Sequence, residues 1–189
     1  MPADPVWFRS TYDNQVSWVW NTVRRMGVQS REVGDVVQEV FLVIHRQGDS
    51  YDGTRPIRPW IFGICYHVAD RYKRKAHHRR EQSGGWDDDV QGQVKLGIDP
   101  ENAFVEGIDQ RRRRDTLARV LLDLDDDKRA VFIAYDIEGF SMPEIAQVVG
   151  APLNTLYSRL RLAREHVTRV FRDQMRMGPS SDAATGRSS

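Results

Sequence analysis

Apolar residues recur at helical spacing in two long stretches of this chain, separated and followed by stretches that keep no period. Tyr12, Val16, Val19, Trp20 and Val23 define one amphipathic helix that ends near Met26-Gly27. Val33, Val37, Val40, Phe41 and Ile44 define a second, interrupted around Gly48. A third starts near Pro56 and sets Ile57, Ile61, Ile64, Val68 and Tyr72 on one side before it runs into a basic cluster. Beyond it Ser83-Gly84-Gly85, three aspartates, Gly92, Gly97 and Pro100 break every pattern, which predicts a flexible linker. The helical period returns through Leu117, Val120, Leu121 and Leu124, then Val131, Phe132, Ala134 and Tyr135. The predicted fold is all-α. Two small helical domains, 1–80 and 108–173, are joined by the linker 81–107 and followed by a tail, 174–189, too poor in apolar residues to be ordered.

The most specific local signal lies in the second domain. Ser141 and Glu144 are spaced as a capping box, Pro143 lies in the first helical turn, and Ile145, Ala146, Val148 and Val149 supply an apolar stripe. Gly150 then suits a helix stop that needs positive φ. In the following helix Leu156, Leu160, Ala163, Val167 and Val170 fix one buried face. Asn154, Tyr157, Ser158, Arg161 and Arg164 are thereby turned outward, with Arg159 near the boundary. This is a helix-turn-helix pattern, and its second helix carries groups that suit base edges and phosphates. Spacing alone also fits a helical hairpin with a solvated polar side.

Composition adds less. The formal charge of the 189 residues is +1, so no global field marks a nucleic-acid partner. The charge is unevenly placed: cations gather from Arg71 to Arg80 and from Arg111 to Arg114, acids at Asp87-Asp88-Asp89 and from Asp123 to Asp127. Cys65 is the only cysteine, which excludes an intramolecular disulfide and a thiolate-rich zinc site. Neither a signal sequence nor a span of apolar residues is present, so a soluble, cytoplasmic protein without membrane insertion is expected.

The first domain carries its own constellation. Asp35, Gln38, Glu39 and Leu42 stand at helical steps, an acidic stripe ending in an apolar residue that fits either a solvated face or a surface for a basic partner helix. Downstream, Tyr51 lies in a turn-rich loop that leads to Arg58, Trp60, Tyr66, His67 and the Arg/Lys run. Aromatics interleaved with cations suit single-stranded DNA, because bases stack on rings while cations track phosphates. Tyr51, with Gln47 and His67, could take up a base drawn from the duplex; Trp60 and Tyr72 are read from the pattern as core residues in preference.

At these residues a resemblance becomes specific. Asp35-Val36-Val37-Gln38-Glu39-Val40-Phe41, Arg58-Pro59-Trp60-Ile61-Phe62-Gly63-Ile64 and the closing helix-turn-helix resemble the bacterial RNA polymerase sigma factors of the extracytoplasmic-function group, sigma-70 family. The likeness spans roughly residues 5 to 80 and 108 to 173. It implies a first domain that binds the clamp helices of the polymerase largest subunit and melts the minus-ten element. The second would read the minus-thirty-five element and touch the β flap. By matching position, Asp35, Gln38, Glu39 and Leu42 would contact polymerase. Gln47, Tyr51 and His67 would hold a flipped non-template base, Arg71, Lys73 and Arg74 the backbone, with Arg58 and Trp60 in the same DNA-binding set. Asn154, Thr155, Tyr157, Ser158, Arg159 and Arg161 would read the major groove. The linker would thread the polymerase channel, and an anti-sigma factor would be a further partner.

The chain departs from the group where Asn154-Thr155-Leu156-Tyr157 replaces a common Gly-Thr-Val-basic sequence and where His67 replaces an amide, so its promoter sequence is its own. Neither cofactor nor metal is expected, and no catalysis. A stand-alone helix-turn-helix regulator is the alternative, but it leaves the Asp35–Leu42 stripe and the Tyr51–Arg74 array without a role. A hydrolase built on His45, His67, His77 and His78 lacks the spacing of a metal site.

Overall fold

Asp4 caps the first helix, its carboxylate accepting from the Val6 amide at 2.9 Å, and Pro5 occupies the first turn where its missing N–H is harmless. The helix, α1 (Pro5–Arg25), is followed by a 3₁₀ turn (Ser30–Glu32) and by α2 (Val33–Gln47). A second 3₁₀ turn (Gly48–Ser50) leads to α3 (Ile57–Gln82). The computed structural model describes residues 4–82 and 116–176, so the expected linker and tail lie almost wholly outside the described residues. The chain resumes in α4, residues 116–122, and continues with α5 (Asp126–Phe132) and a π-wound segment (Ile133–Ile137). It ends with α6 (Met142–Val149) and α7 (Leu153–Arg176). No strand occurs among the described residues, as an all-α fold requires.

The second helix follows its sequence pattern: Val33, Val37, Val40, Phe41 and Ile44 are all buried. In α1 the expected stripe is only half correct. Val19 and Val23 are buried, but Tyr12 and Trp20 remain 41% and 39% exposed. Thr11 and Thr22 fill the inner face instead, while Tyr12 lies across Phe41 at a ring distance of 4.7 Å. Helix α3 is buried on more than the predicted side. Ile61, Ile64 and Val68 are joined by Phe62, Cys65 and Ala69, because α1 and α2 cover one face and α6 covers another. A single apolar cluster therefore runs from Val19 to Ala163 through both domains.

In the second domain the helix-turn-helix forms as read. Ser141 Oγ donates to Glu144 Oε2 at 2.6 Å, and the Ser141 amide donates to the same oxygen at 2.8 Å. Gly150 stops α6 at φ 71°, a left-handed conformation that costs glycine little. Leu156, Leu160 and Ala163 anchor α7 in the core. The two bonds from Ser141 hold the Glu144 carboxyl below its usual range. Ser141→Ala is expected to lower stability by about 1 kcal/mol at neutral pH. Because the folded-state pKa is depressed, the box stabilises above the ordinary glutamate range and fades as pH falls through it. Chemical denaturation of both proteins should show the gap narrowing in acid; a gap that widens would contradict this assignment.

Candidate nucleic-acid interface

Helix α2 presents two faces by its period alone. With Val36, Val37, Val40 and Ile44 turned inward, Asp35, Gln38 and Leu42 point to solvent and Glu39 lies half-buried beside them. Leu42 is 43% exposed. Glu39 also accepts from Arg71 on α3 at 2.8 Å, so a residue expected to face polymerase steadies one expected to face DNA.

The loop between α2 and α3 is built by short-range bonds. Asp52 Oδ1 accepts from the Thr54 amide at 3.0 Å and from its hydroxyl at 2.7 Å, and the Tyr51 hydroxyl donates to the Arg55 carbonyl. These bonds set the Tyr51 ring against Trp60 at 5.2 Å and Trp7 at 6.1 Å, an aromatic tier at the start of α3. Next to it lies a cleft of about 350 Å³, lined by Gln47, Trp60, His67 and Arg71 and, from the second domain, by Gln147 and Val148. The structure thus brings Gln47 and His67 together and joins Tyr51 to them through Trp60. His67 Nε2 donates to the Val148 carbonyl at 3.1 Å.

Other expected DNA contacts are tied up within the protein. Arg58 donates to Gln15 at 3.3 Å and its guanidinium lies 5.5 Å from the Trp18 ring centre, so it faces α1. Arg74 pairs with Asp70 at 3.0 Å. Lys73 turns toward the second domain, donating to the Met26 carbonyl at 3.0 Å and pairing with Asp126 at 2.6 Å; burial pulls its ammonium below the usual lysine range.

On α7, Asn154, Thr155, Tyr157, Ser158 and Arg161 are exposed along the N-terminal half. Tyr157 is 54% exposed, and Arg161 makes only a local pair with Glu165 at 2.6 Å. Arg159 differs, since its guanidinium is bonded to Asp127 of α5. Asp127 accepts in addition from the Tyr66 hydroxyl of the first domain at 2.9 Å; burial first, and then this bond to a carboxylate, push the phenol up to about 12. Among the described residues no group of acids, histidines and cysteine could hold a metal ion, and no helix is long and apolar enough to cross a membrane.

Sequence reasoning did not single out Asp126, Asp127, Arg129 or Glu138. Glu138 accepts from Trp18 Nε1 at 2.6 Å and from Arg25 at 2.9 Å, and the π winding before it brings it round to face α1. The usable signals were an arginine inside an apolar run, Arg129 before Ala130 to Ala134, and a lone glycine, Gly63, inside a helical pattern.

Comparison with known proteins agrees with this layout. Residues 11–79 match the family Sigma-70 region 2, and residues 114–167 match Sigma-70, region 4. The chain is 30% identical over 146 residues to the ECF RNA polymerase sigma-E factor of Escherichia coli (strain K12), covering 74% of each. It is 26% identical over 163 residues to that of Haemophilus influenzae, covering 84% of this chain and 82% of the relative. The fold is similar to that of the sigma factor RpoE solved with the anti-sigma factor NepR from Bartonella quintana. There the TM-score is 0.72 at 19% identity, with 87% of this chain and 96% of that one covered. It is also similar to CnrH solved with the cytosolic domain of CnrY, with a TM-score of 0.59 at 22% identity and coverage of 90% and 91%. Two matched regions in their order, and a relative at this identity across most of its length, place the chain among the transcription initiation factors: it belongs to the extracytoplasmic-function group of sigma-70 RNA polymerase sigma factors, which are not enzymes.

Proposed function

We propose that this sigma factor docks on core RNA polymerase through the outward face of α2 and opens its promoter by capturing one unpaired base beside α3. The observation that carries the reading is the adjacency of two unlike surfaces on one domain. Asp35, Gln38 and Leu42 form an acidic and apolar strip for a basic helix, the largest subunit's clamp. One helix away, Gln47, Trp60 and His67 offer amide, ring and imidazole to the edge and face of a base, and Arg71 supplies charge for its phosphate. The exposed N-terminal half of α7 takes the minus-thirty-five duplex in its major groove, and the same domain meets the β flap. Unpairing and unstacking a base costs a few kcal/mol, which capture by the first domain offsets. A stand-alone duplex reader would leave the α2 strip without use. Since two structural neighbours were solved with anti-sigma partners, an anti-sigma factor is proposed for this chain as well.

The docking strip is tested by co-sedimentation with purified core polymerase. Wild type is expected to join the core, and Leu42→Arg, which adds a like charge and removes the apolar contact on an exposed position, to bind about tenfold more weakly. Undiminished binding by Leu42→Arg would remove α2 from the interface.

A further inference from the structure

Helix α1 brings one more aromatic ring to the start of α3 than the cleft itself uses. The Trp7 ring centre lies 6.1 Å from Tyr51 and 6.5 Å from Trp60, and Tyr51 lies 5.2 Å from Trp60. Tyr51 is the middle plane, tilted 31° from Trp7 and 38° from Trp60, so the rings form a run of faces that continues the Trp60 wall of the cleft. All three are only half-buried. The indole is carried by a helix rather than by a loop. Asp4 and Pro5 fix the first turn of α1, and the next residue, Phe8, is pinned against α2, 5.0 Å from the His45 ring and 6.5 Å from Phe41. Trp7 also precedes residues 11–79, the segment matched to Sigma-70 region 2, so it is an addition to that segment.

The charges around this tier decide what it can take. Burial first, and then the Asp52 carboxylate, raise the Tyr51 phenol, and Asp4 caps the helix within a turn of Trp7. Arg55 is engaged by Asp52 at 3.4 Å and by Gln147 at 3.0 Å. A phosphate would meet carboxylates here, whereas an uncharged base would meet ring faces. Spacing points the same way. Successive nucleotides of a duplex strand advance by about 3.4 Å. The steps between these rings, 5.2 and 6.1 Å, are longer, so bases must come apart to cover successive rings.

We propose that Trp7 is a second stacking site for the opened strand: one unpaired base enters the cleft of Gln47, Trp60 and His67, and its neighbour lies on the Trp7 ring. This rests on the function proposed above and adds to strand capture a second base and a residue of α1. Duplex, whose bases stack on one another, gains nothing from this ring. Trp7 therefore acts after the closed complex has formed.

The test places abasic sites one at a time along the non-template strand of the minus-ten element and measures open complexes formed by core polymerase with the full chain. On the intact promoter Trp7→Ala is expected to lose about fivefold or more, the low end for one stacked base. On the template that lacks the Trp7 base it should lose nothing further. His67→Ala should be silent instead on the template abasic at the adjacent position. Trp7→Leu, which keeps apolar volume without a ring, should lose as much as Trp7→Ala, and Trp7→Phe should stay within a few-fold of wild type. No loss on the intact promoter, losses spread evenly over all templates, rescue by leucine, or coupling of Trp7 and His67 to the same position would each overturn the second stack while leaving base capture intact. If no abasic position couples to His67, base capture itself falls, and the second stack with it.

Discussion

Arg129→Ala will destabilise the folded chain by roughly 3–5 kcal/mol, the largest effect expected of any single substitution here. The side chain is 8% exposed, and each of its donors is used. Nε donates to the Leu121 carbonyl at 2.6 Å, and one terminal nitrogen donates to Leu122 at 3.0 Å and Leu124 at 2.6 Å. The other donates to Met26 at 2.9 Å and to Asp126 at 2.8 Å. Of the carbonyls in the turn between α4 and α5, Leu121 also accepts from the Leu124 amide at 3.2 Å, while Leu122 and Leu124 lose a guanidinium donor in a largely dry site, so truncation strands acceptors there. Lysine in its place would restore the charge but not the planar fork, and should recover little. Against a total stability on the order of 5–15 kcal/mol, such a loss would lower the melting temperature by roughly 6–20 °C. Urea unfolding measures it directly. A change under about 1 kcal/mol would mean that water already serves those carbonyls.

Tyr51→Ala should reduce open-complex formation by roughly 5- to 150-fold, the equivalent of about 1–3 kcal/mol of base stacking, with binding to closed duplex nearly unchanged. The selectivity follows from position. Tyr51 belongs to the tier of Trp7 and Trp60 beside the base cleft, whereas the duplex-reading residues sit on α7. Tyr51→Phe keeps the ring and loses only the bond to the Arg55 carbonyl, so it should stay within a few-fold of wild type. Footprinting of closed and open complexes on one promoter separates the two steps. Equal losses in both for Tyr51→Ala would contradict stacking at this site.

What could be read from the sequence was whatever repeats locally. Helix α2 was legible because five of its six buried residues recur on the predicted stripe, only Val36 being missed, and the capping box and Gly150 because their chemistry lies within ten residues. The acidic strip and the aromatic loop were legible for the same reason. The meeting of the domains was not. Trp18 with Glu138, Tyr66 with Asp127 and Met26 with Arg129 pair segments far apart in the chain, and such pairings leave no period. Lys73, read as a backbone-tracking cation, and Asp126, noted only within the acidic run from Asp123 to Asp127, instead bind each other at 2.6 Å. Helix α3 did hold a hint: Phe62, Cys65 and Ala69 lie off the predicted stripe, more apolar surface than one covered face requires.

The most direct measurement is run-off transcription of genomic fragments by purified core polymerase, with and without this chain. Discrete start sites that appear only with the protein, and that weaken with Tyr51→Ala, are the predicted result. Duplex binding by the chain alone, with no transcript that depends on it from any fragment, would contradict the account.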